Sequence, residues 1–117
     1  MRIVVLLIAG LTMLASAAVA QDPVKVDPGH YKVVFENSQV RVLRIHYGPH
    51  EKSVMHSHPA TVAVFLTDAK GEFTFADGKK QTFTVKAGDT QYEAANTHLP
   101  ENTGDKGMDV IVVELKK

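Results

Sequence analysis

The 117-residue sequence contains no cysteine and no tryptophan. The absence of cysteine excludes disulfide stapling, thiolate zinc sites and thiol catalysis. Charge of one sign is not in excess either, because 13 lysines and arginines balance 13 acidic residues. A near-neutral chain lacks the basic face that phosphate contacts need, which argues against nucleic-acid binding and against a polybasic membrane-surface protein.

Long hydrophobic runs are confined to the N-terminus. A mostly apolar run over residues 3–14 follows the positively charged Arg2 and precedes a small-x-small sequence at residues 18–20. This pattern predicts a secretory signal peptide, residues 1–20, that is cleaved after Ala20. A membrane anchor is the alternative, but the run is shorter than the roughly 20 residues that a span needs. We therefore expect an exported protein, periplasmic or secreted, with 12 basic and 13 acidic residues once Arg2 is removed.

The remaining chain has the spacing of an all-β domain. Residues 21–30 contain two prolines and a Pro28-Gly29 turn, which predicts an exposed N-terminal lead-in. Residues 31–117 contain short segments rich in β-branched and aromatic residues, separated by turn residues at spacings of about ten, which predicts some eight or nine strands of one antiparallel sandwich or barrel. The parity change between Val42 and Leu43 in the second segment is typical of a strand that carries a bulge or passes between two sheets.

All six histidines lie after residue 20, and two of them form the sequence His56-Ser57-His58. Residues two apart on a strand point to the same face, with Cα atoms roughly 6.6 Å apart. Two such imidazoles can converge on one cation, which needs metal–nitrogen bonds of about 2.0–2.1 Å. A third ligand must come from another strand, and His98 is the best candidate. The alternative is that the pair is simply two polar residues on a solvated face.

Two segments resemble the motifs of the cupin superfamily. Residues 48–59 (GPHEKSVMHSHP) resemble the first motif, a glycine and a spacer followed by His-x-His. Residues 88–105 resemble the second motif, with Gly-Asp at its start and His98 and Asn102 at the family's spacing. The resemblance covers roughly residues 33–115 and implies an antiparallel jelly roll, that is, a double-stranded β-helix barrel, within a cupin-like domain over residues 31–117. It also implies three metal ligands: His56, His58 and His98.

The first motif is degenerate. Cupins usually place a glutamate ligand four or five residues after the second histidine, but Val62 and Ala63 occupy those positions here. The second motif lacks the proline and the glycine of its turn. Asn102 is expected to support the site or to stabilise a turn, the alternative being a polar loop residue. Glu93 and His50 are further candidate ligands, with a solvated turn residue and a loop residue as the respective alternatives.

Three neutral imidazoles leave the charge of a divalent ion uncompensated in a pocket that we expect Val62, Val64, Phe73 and Phe83 to line. Such a centre attracts hydroxide or a chelating anion. Some cupins, the thiol dioxygenases among them, use three histidines around ferrous iron. The resemblance therefore implies a metal-dependent oxygenase or isomerase acting on a small anionic or chelating substrate. Imidazole suits iron, manganese, zinc, copper and nickel, so the ion is not identified.

The sequence also offers one candidate catalytic tyrosine and two alternative functions. Tyr92 is a candidate catalytic residue that would donate a proton or a hydrogen bond in the pocket, the alternative being a core aromatic with its hydroxyl at the rim. A non-catalytic periplasmic module that captures a small molecule or a metal is the alternative function. A plain structural domain is the third, because loss of an anionic ligand weakens metal affinity. Cupins often dimerise, so the resemblance also implies a homodimer.

Overall fold

A computed structural model describes residues 21–117, so the predicted signal peptide lies outside the described residues. This part of the chain is all-β apart from one helix of four residues, as expected, and no helix in it is long and apolar enough to cross a membrane. Its elements are α1 (Pro23–Val26), β1 (Tyr31–Glu36), β2 (Val40–Tyr47), β3 (His56–His58), β4 (Thr61–Phe65), β5 (Ala69–Phe75), β6 (Lys80–Val85), β7 (Thr90–Glu93), β8 (Asn96–Asn102) and β9 (Met108–Leu115).

The predicted turns form for the local reasons that the sequence indicates. The Asn37 side chain accepts hydrogen bonds from the backbone of Gln39 and Val40 and so closes the turn between β1 and β2. Between β5 and β6, Gly78 has a φ of 87°, a left-handed conformation that a tight hairpin requires and that glycine adopts without strain.

The strands form two antiparallel sheets, which confirms the predicted jelly-roll architecture. One sheet has the order β1-β2-β9-β4-β7, and the other has the order β3-β8-β5-β6. The buried apolar side chains lie between the sheets. They come mainly from β2 and β9, whose alternate residues point inward. The core comprises Tyr31, Leu43, Ile45, Tyr47, Phe65, Val85, Met108, Val110 and Val112.

Strand β2 neither carries a bulge nor passes between the sheets, so both expectations for it were wrong, and the register shift lies in β1 instead. The register between β1 and β2 shifts between Val33 and Phe35, whereas β2 pairs with β9 without interruption. The parity change was wrong evidence for a bulge because Val42 is an apolar residue on the outer face of the sheet. It belongs to a row of directly paired outer-face residues that crosses all five strands: Phe35, Val42, Val113, Val62 and Tyr92.

The segment 21–30 is packed in part, although an exposed lead-in was expected. Pro23 is buried, and Asp22 caps α1 by accepting a hydrogen bond from the backbone N–H of Val24 at 2.9 Å. The Arg41 guanidinium of β2 also donates to the Asp22 carboxylate at 2.8 and 3.0 Å. These contacts attach the segment to the five-stranded sheet.

Asn102 stabilises a turn, which is one of the two roles expected for it. Its buried amide donates to the carbonyl oxygens of Gly48 and Lys106 at 3.0 and 2.8 Å and accepts from the N–H of Gly104 at 2.9 Å. One side chain thereby joins the loop after β2 to the loop before β9. These partners are all backbone atoms, so Asn102 acts on the loops and not directly on the histidines.

Candidate metal centre

Strands β3 and β8 bring three histidines onto one face of the four-stranded sheet. His56 and His58 lie two residues apart on β3, and their side chains therefore point to the same side. In the antiparallel register between the two strands, His98 lies directly opposite His56. The fold thus contains the expected meeting of imidazoles from separate strands.

The three rings are buried and lie close together. The exposed fractions of His56, His58 and His98 are 1%, 8% and 4%. Their ring centroids are 4.8, 5.0 and 5.3 Å apart, and one nitrogen of each ring lies within 4.8 Å of the corresponding nitrogens of the other two. A tetrahedral ion with bonds of about 2.1 Å needs nitrogens about 3.4 Å apart, so side-chain movements of about 1 Å would close the set on an ion.

A backbone carbonyl determines the orientation of His56. Its Nδ1 lies 2.9 Å from the carbonyl oxygen of Val54. A carbonyl only accepts hydrogen bonds, so Nδ1 carries the proton and Nε2 keeps its lone pair. Nε2 is therefore the nitrogen of His56 that can act as a metal ligand.

A buried carboxylate holds His58 in the same way. Nδ1 of His58 donates to Oε2 of Glu114 at 2.7 Å, and Glu114 is only 3% exposed. Burial by itself raises the pKa of Glu114, but hydrogen bonds from His58 and Arg41 lower it overall, so the carboxylate is charged at neutral pH. His58 therefore also presents Nε2 to the cluster.

His98 has no hydrogen-bond partner within the described part of the chain. Both of its ring nitrogens are buried and unpaired, although buried polar atoms are nearly always satisfied in folded proteins. The ring stacks on Phe73, with centroids 4.9 Å apart and planes 2° from parallel. The stack directs the ring toward the other two histidines without using either nitrogen, which is what a metal ligand needs.

Burial keeps two of these histidines neutral. It lowers the pKa of His56 to about 4 and that of His98 to about 3, and the neighbouring histidines contribute to both shifts. Only a neutral imidazole has a lone pair for a metal ion. At neutral pH these two side chains are therefore already in the form that binds a cation.

Two tyrosines place hydroxyl groups at the edge of the cluster. The Tyr31 hydroxyl lies 3.2 Å from Nε2 of His56 and 2.5 Å from the hydroxyl of Tyr47. Because Nε2 carries no proton, Tyr31 donates to it and Tyr47 donates to Tyr31. Burial raises the pKa of both phenols, so they remain neutral donors at neutral pH.

A cavity of about 60 Å³ lies beside His58 and His98. Tyr31, Tyr47 and Phe73 contribute to its wall, which is otherwise mostly apolar. Phe73 was predicted there. Phe83 was predicted as well, but it does not line the cavity and packs instead against Phe73 and the core.

The orientation of β4 explains two further differences. Thr61 and Ala63 line the cavity, whereas Val62 and Val64 lie on the outer face of the sheet, so the prediction of those two valines was wrong. Because the apolar residues of this segment do not alternate with polar ones, the sequence does not show which of them point inward. Of the two positions where cupins usually carry the glutamate ligand, only position 63 therefore faces the site. An alanine there leaves the three-histidine cluster without a carboxylate among the described residues.

The other sequence candidates lie outside the cluster. Glu93 lines the cavity, and burial raises its pKa, but it is not among the clustered ligand atoms. His50 is exposed and pairs with Asp105 at 2.7 Å. Tyr92 is 67% exposed on the outer face of β7 and does not line the cavity, so the structure contradicts its expected place in the pocket.

Sequence reasoning missed Glu114 and the pair Tyr31 and Tyr47. Every second residue of β9 from Met108 onward points inward, and the last of these is Glu114. A carboxylate at an inward position indicates a buried ion pair, and this pattern could have been found in the sequence. Tyr47 likewise continues an inward series, that of Leu43 on β2. No sequence pattern placed these groups beside His56 and His58, because their contacts depend on how the two sheets face each other.

With this geometry established, comparison with known proteins identifies the family. The family model described as "Cupin domain" matches residues 43–114, and the chain belongs to that family. No curated protein matches the chain significantly.

Solved structures support the same fold. A cupin domain from Bordetella pertussis is similar with a TM-score of 0.69 and 20% identity, covering 74% of this chain and 92% of that one. A Klebsiella pneumoniae protein with a double-stranded β-helix domain has a TM-score of 0.60 and 22% identity, with 74% and 77% covered. A predicted oxalate decarboxylase from Thermotoga maritima has a TM-score of 0.56 and 21% identity, with 74% and 79% covered. At these identities the likeness concerns the fold alone.

Proposed function

We propose that this cupin binds a divalent first-row metal ion through His56, His58 and His98 and acts on a small ligand there. The observation that carries the proposal is the buried ring of His98, whose two nitrogens lack partners while two other imidazoles face it. Leaving a buried polar group unpaired costs about 1–3 kcal/mol. An ion held by the cluster would pair one of these nitrogens and use the lone pairs of the other two rings.

The surrounding residues support this chemistry. When bound, a divalent ion would supply Lewis-acid polarisation of a ligand oxygen or, for iron, a position for oxygen activation. The Tyr31 hydroxyl donates a hydrogen bond to Nε2 of His56, which is the nitrogen that would bind the ion. If that nitrogen held an ion, the Tyr31 hydroxyl would be free to donate a hydrogen bond to an oxygen of the ligand. Tyr47 holds that hydroxyl in place, and Phe73 keeps one wall of the site dry.

The cavity limits the ligand to a small molecule. Its 60 Å³ is far below the roughly 300–1,000 Å³ of pockets for drug-sized ligands. A neutral three-histidine set leaves positive charge on the ion, which favours an anionic chelating ligand. Oxalate, which the description of the Thermotoga protein names, is a small chelating dianion and is therefore a suitable probe. An oxygenase or an isomerase reaction on such a ligand is the activity that we propose.

Metal analysis of the untagged protein tests the binding. We expect near-stoichiometric metal in the wild type and loss of it in His56→Ala and in His98→Ala. His46→Ala is the matched control, because His46 is exposed and pairs only with Asp109. Wild-type protein that stays metal-free when iron, manganese, zinc, copper and nickel are each supplied would overturn the proposal.

A metal or small-molecule capture module is the second candidate. The small cavity favours it, since an ion and a few ligand atoms fill the space. Oxygen uptake and product analysis with small diketones, thiols and oxalate separate the two functions. Turnover that is lost in His98→Ala supports the enzyme, whereas stoichiometric metal and ligand binding without turnover supports capture.

We also propose that the chain is exported after cleavage behind Ala20 and that it forms a homodimer. The sequence pattern of residues 1–20 supports export. The apolar row from Phe35 to Tyr92 on the outer face offers a surface for self-association. The mass of the mature protein, expected to begin at Gln21, tests export, and light scattering coupled to size exclusion tests the dimer.

A further inference from the structure

We infer that Glu114 supplies, from behind His58, the negative charge that the absent glutamate ligand would otherwise bring to the metal. Glu114 would thus be a positioning residue that acts through the imidazole and does not contact the ion. This inference rests on the proposed metal site. It goes beyond that site because it explains how a cluster without a carboxylate ligand can hold a divalent cation.

The first argument is the contact between Glu114 and His58. The carboxylate is 3% exposed and accepts the Nδ1 proton of His58 at 2.7 Å, so an anion lies directly behind one candidate ligand. A carboxylate in this position sets the ring orientation and makes the imidazole a stronger electron donor. Because the pair is buried, solvent screens this charge less than it would at the surface.

The second argument is the charge of the group around Glu114. Nε of Arg41 donates to Oε1 of Glu114 at 2.5 Å, while the other two guanidinium nitrogens donate to Asp22 at 2.8 and 3.0 Å. Two carboxylates therefore share one guanidinium, and the group keeps a net charge of −1 beside His58. Without Asp22, the positive charge of Arg41 would neutralise Glu114 fully.

A purely structural ion pair makes a different prediction. If Glu114 and Arg41 only stabilise the fold, removing either partner should weaken metal binding in parallel with stability. If the negative charge is what matters, removing the cation makes the group more negative. Substitution of Arg41 should then leave metal affinity unchanged or raise it, even where it lowers stability.

Zinc titrations of metal-free protein distinguish these cases. We expect Glu114→Gln, which keeps the shape and removes the charge, to weaken zinc binding about 10- to 100-fold. Asp22→Asn should weaken it by a smaller factor, because the charge of Arg41 then falls on Glu114 alone. Arg41→Gln should bind zinc as tightly as the wild type or more tightly. Glu72→Gln is the matched control, since Glu72 pairs with the exposed Lys80 on the outside of the barrel.

Thermal unfolding of each metal-free variant, measured alongside, separates affinity from stability. If the wild type binds zinc and Glu114→Gln binds it equally tightly, the role inferred for Glu114 is wrong. The proposed metal site is then still supported. Should Arg41→Gln fail to fold, Asp22→Asn decides, and unchanged affinity in that variant would overturn the charge argument. Absence of zinc binding in the wild type, together with no binding of the other candidate ions, would overturn both proposals.

Discussion

The rings of Phe73 and His98 lie face to face, 2° from parallel, with centroids 4.9 Å apart. Phe73 also stacks on Phe83 at 4.8 Å, so a column of aromatic rings ends at the candidate metal ligand. Among the three clustered histidines, the two on β3 are oriented by hydrogen bonds on Nδ1. His98 has none, so its ring plane is set by packing, through the stack on Phe73 and the edge contacts with the other two histidines.

Loss of this stack should loosen the ligand. We expect Phe73→Leu to lower the free energy of unfolding by about 1–2 kcal/mol, because the side chain is smaller and the aromatic contact is lost. Zinc affinity should fall several-fold, since His98 must then be ordered on binding. Urea denaturation and zinc titration measure the two effects. Phe35→Leu on the exposed face of β1 is the control, and equal zinc affinity in Phe73→Leu and in wild type would contradict the role of the stack.

The Tyr31 hydroxyl should matter for the ligand more than for the metal. We expect Tyr31→Phe to keep zinc or cobalt binding within a few-fold of the wild type, since the phenol is not a ligand in the proposed site. Binding of oxalate to the metal-loaded protein should weaken about 5- to 10-fold, because one hydrogen bond contributes about 1 kcal/mol. Titration calorimetry measures both affinities. Tyr92→Phe should change neither, because that hydroxyl lies on the outer surface.

The metal-free protein should lose stability in mild acid. Burial lowers the pKa of His98 to about 3 and that of His56 to about 4 in the folded state, against about 6.5 in the unfolded chain. At a pH between the folded-state and unfolded-state pKa values, the unfolded chain binds more protons than the folded protein does. Acidification therefore favours unfolding. We expect the free energy of unfolding to fall by at least about 2 kcal/mol between pH 7 and pH 4.

Urea titrations of chelator-treated protein at several pH values measure this dependence. In His98→Leu the slope should be shallower, because one group no longer gains a proton on unfolding. The exposed His46 provides the control variant, His46→Ala, whose slope should match the wild type. Stability that is constant or increases toward pH 4 would refute the assignment of neutral buried imidazoles.

Gly71 on β5 should not tolerate a side chain. A Cβ there would lie 2.4 Å from both the carbonyl oxygen of Glu101 and the ring of Phe83. The backbone carbonyl of Glu101 cannot move aside as an exposed side chain can. We therefore expect Gly71→Ala to lower the free energy of unfolding by about 2–3 kcal/mol. Chemical denaturation measures the loss. Gly29→Ala, where nothing lies within 4 Å, should be nearly neutral, and a neutral Gly71→Ala would show that β5 and β8 are not packed this closely.

Local chemistry explains why much of the fold was predictable. The β-branched segments, the Asn37 and Gly78 turns and the alternation along β9 each depend on neighbouring residues, and the strands formed where these signals stand. The family's two motifs added the expectation that His56, His58 and His98 form one ligand set, whereas the pairing of β3 with β8 came from the structure. The exposed lead-in and the bulge in β2 were less successful, because both depend on contacts with distant strands.

The sequence by itself determined the all-β class, the turns and the three histidines, since strand periodicity, turn residues and His-x-His spacing act over a few residues. Only the tertiary structure decided that Ala63 faces the cavity while Val62 does not, that Tyr31 and not Tyr92 stands beside His56, and that Glu114 lies behind His58. The reason is physical. These relationships depend on strand register and on the packing of one sheet over the other, which are set by the whole core at once.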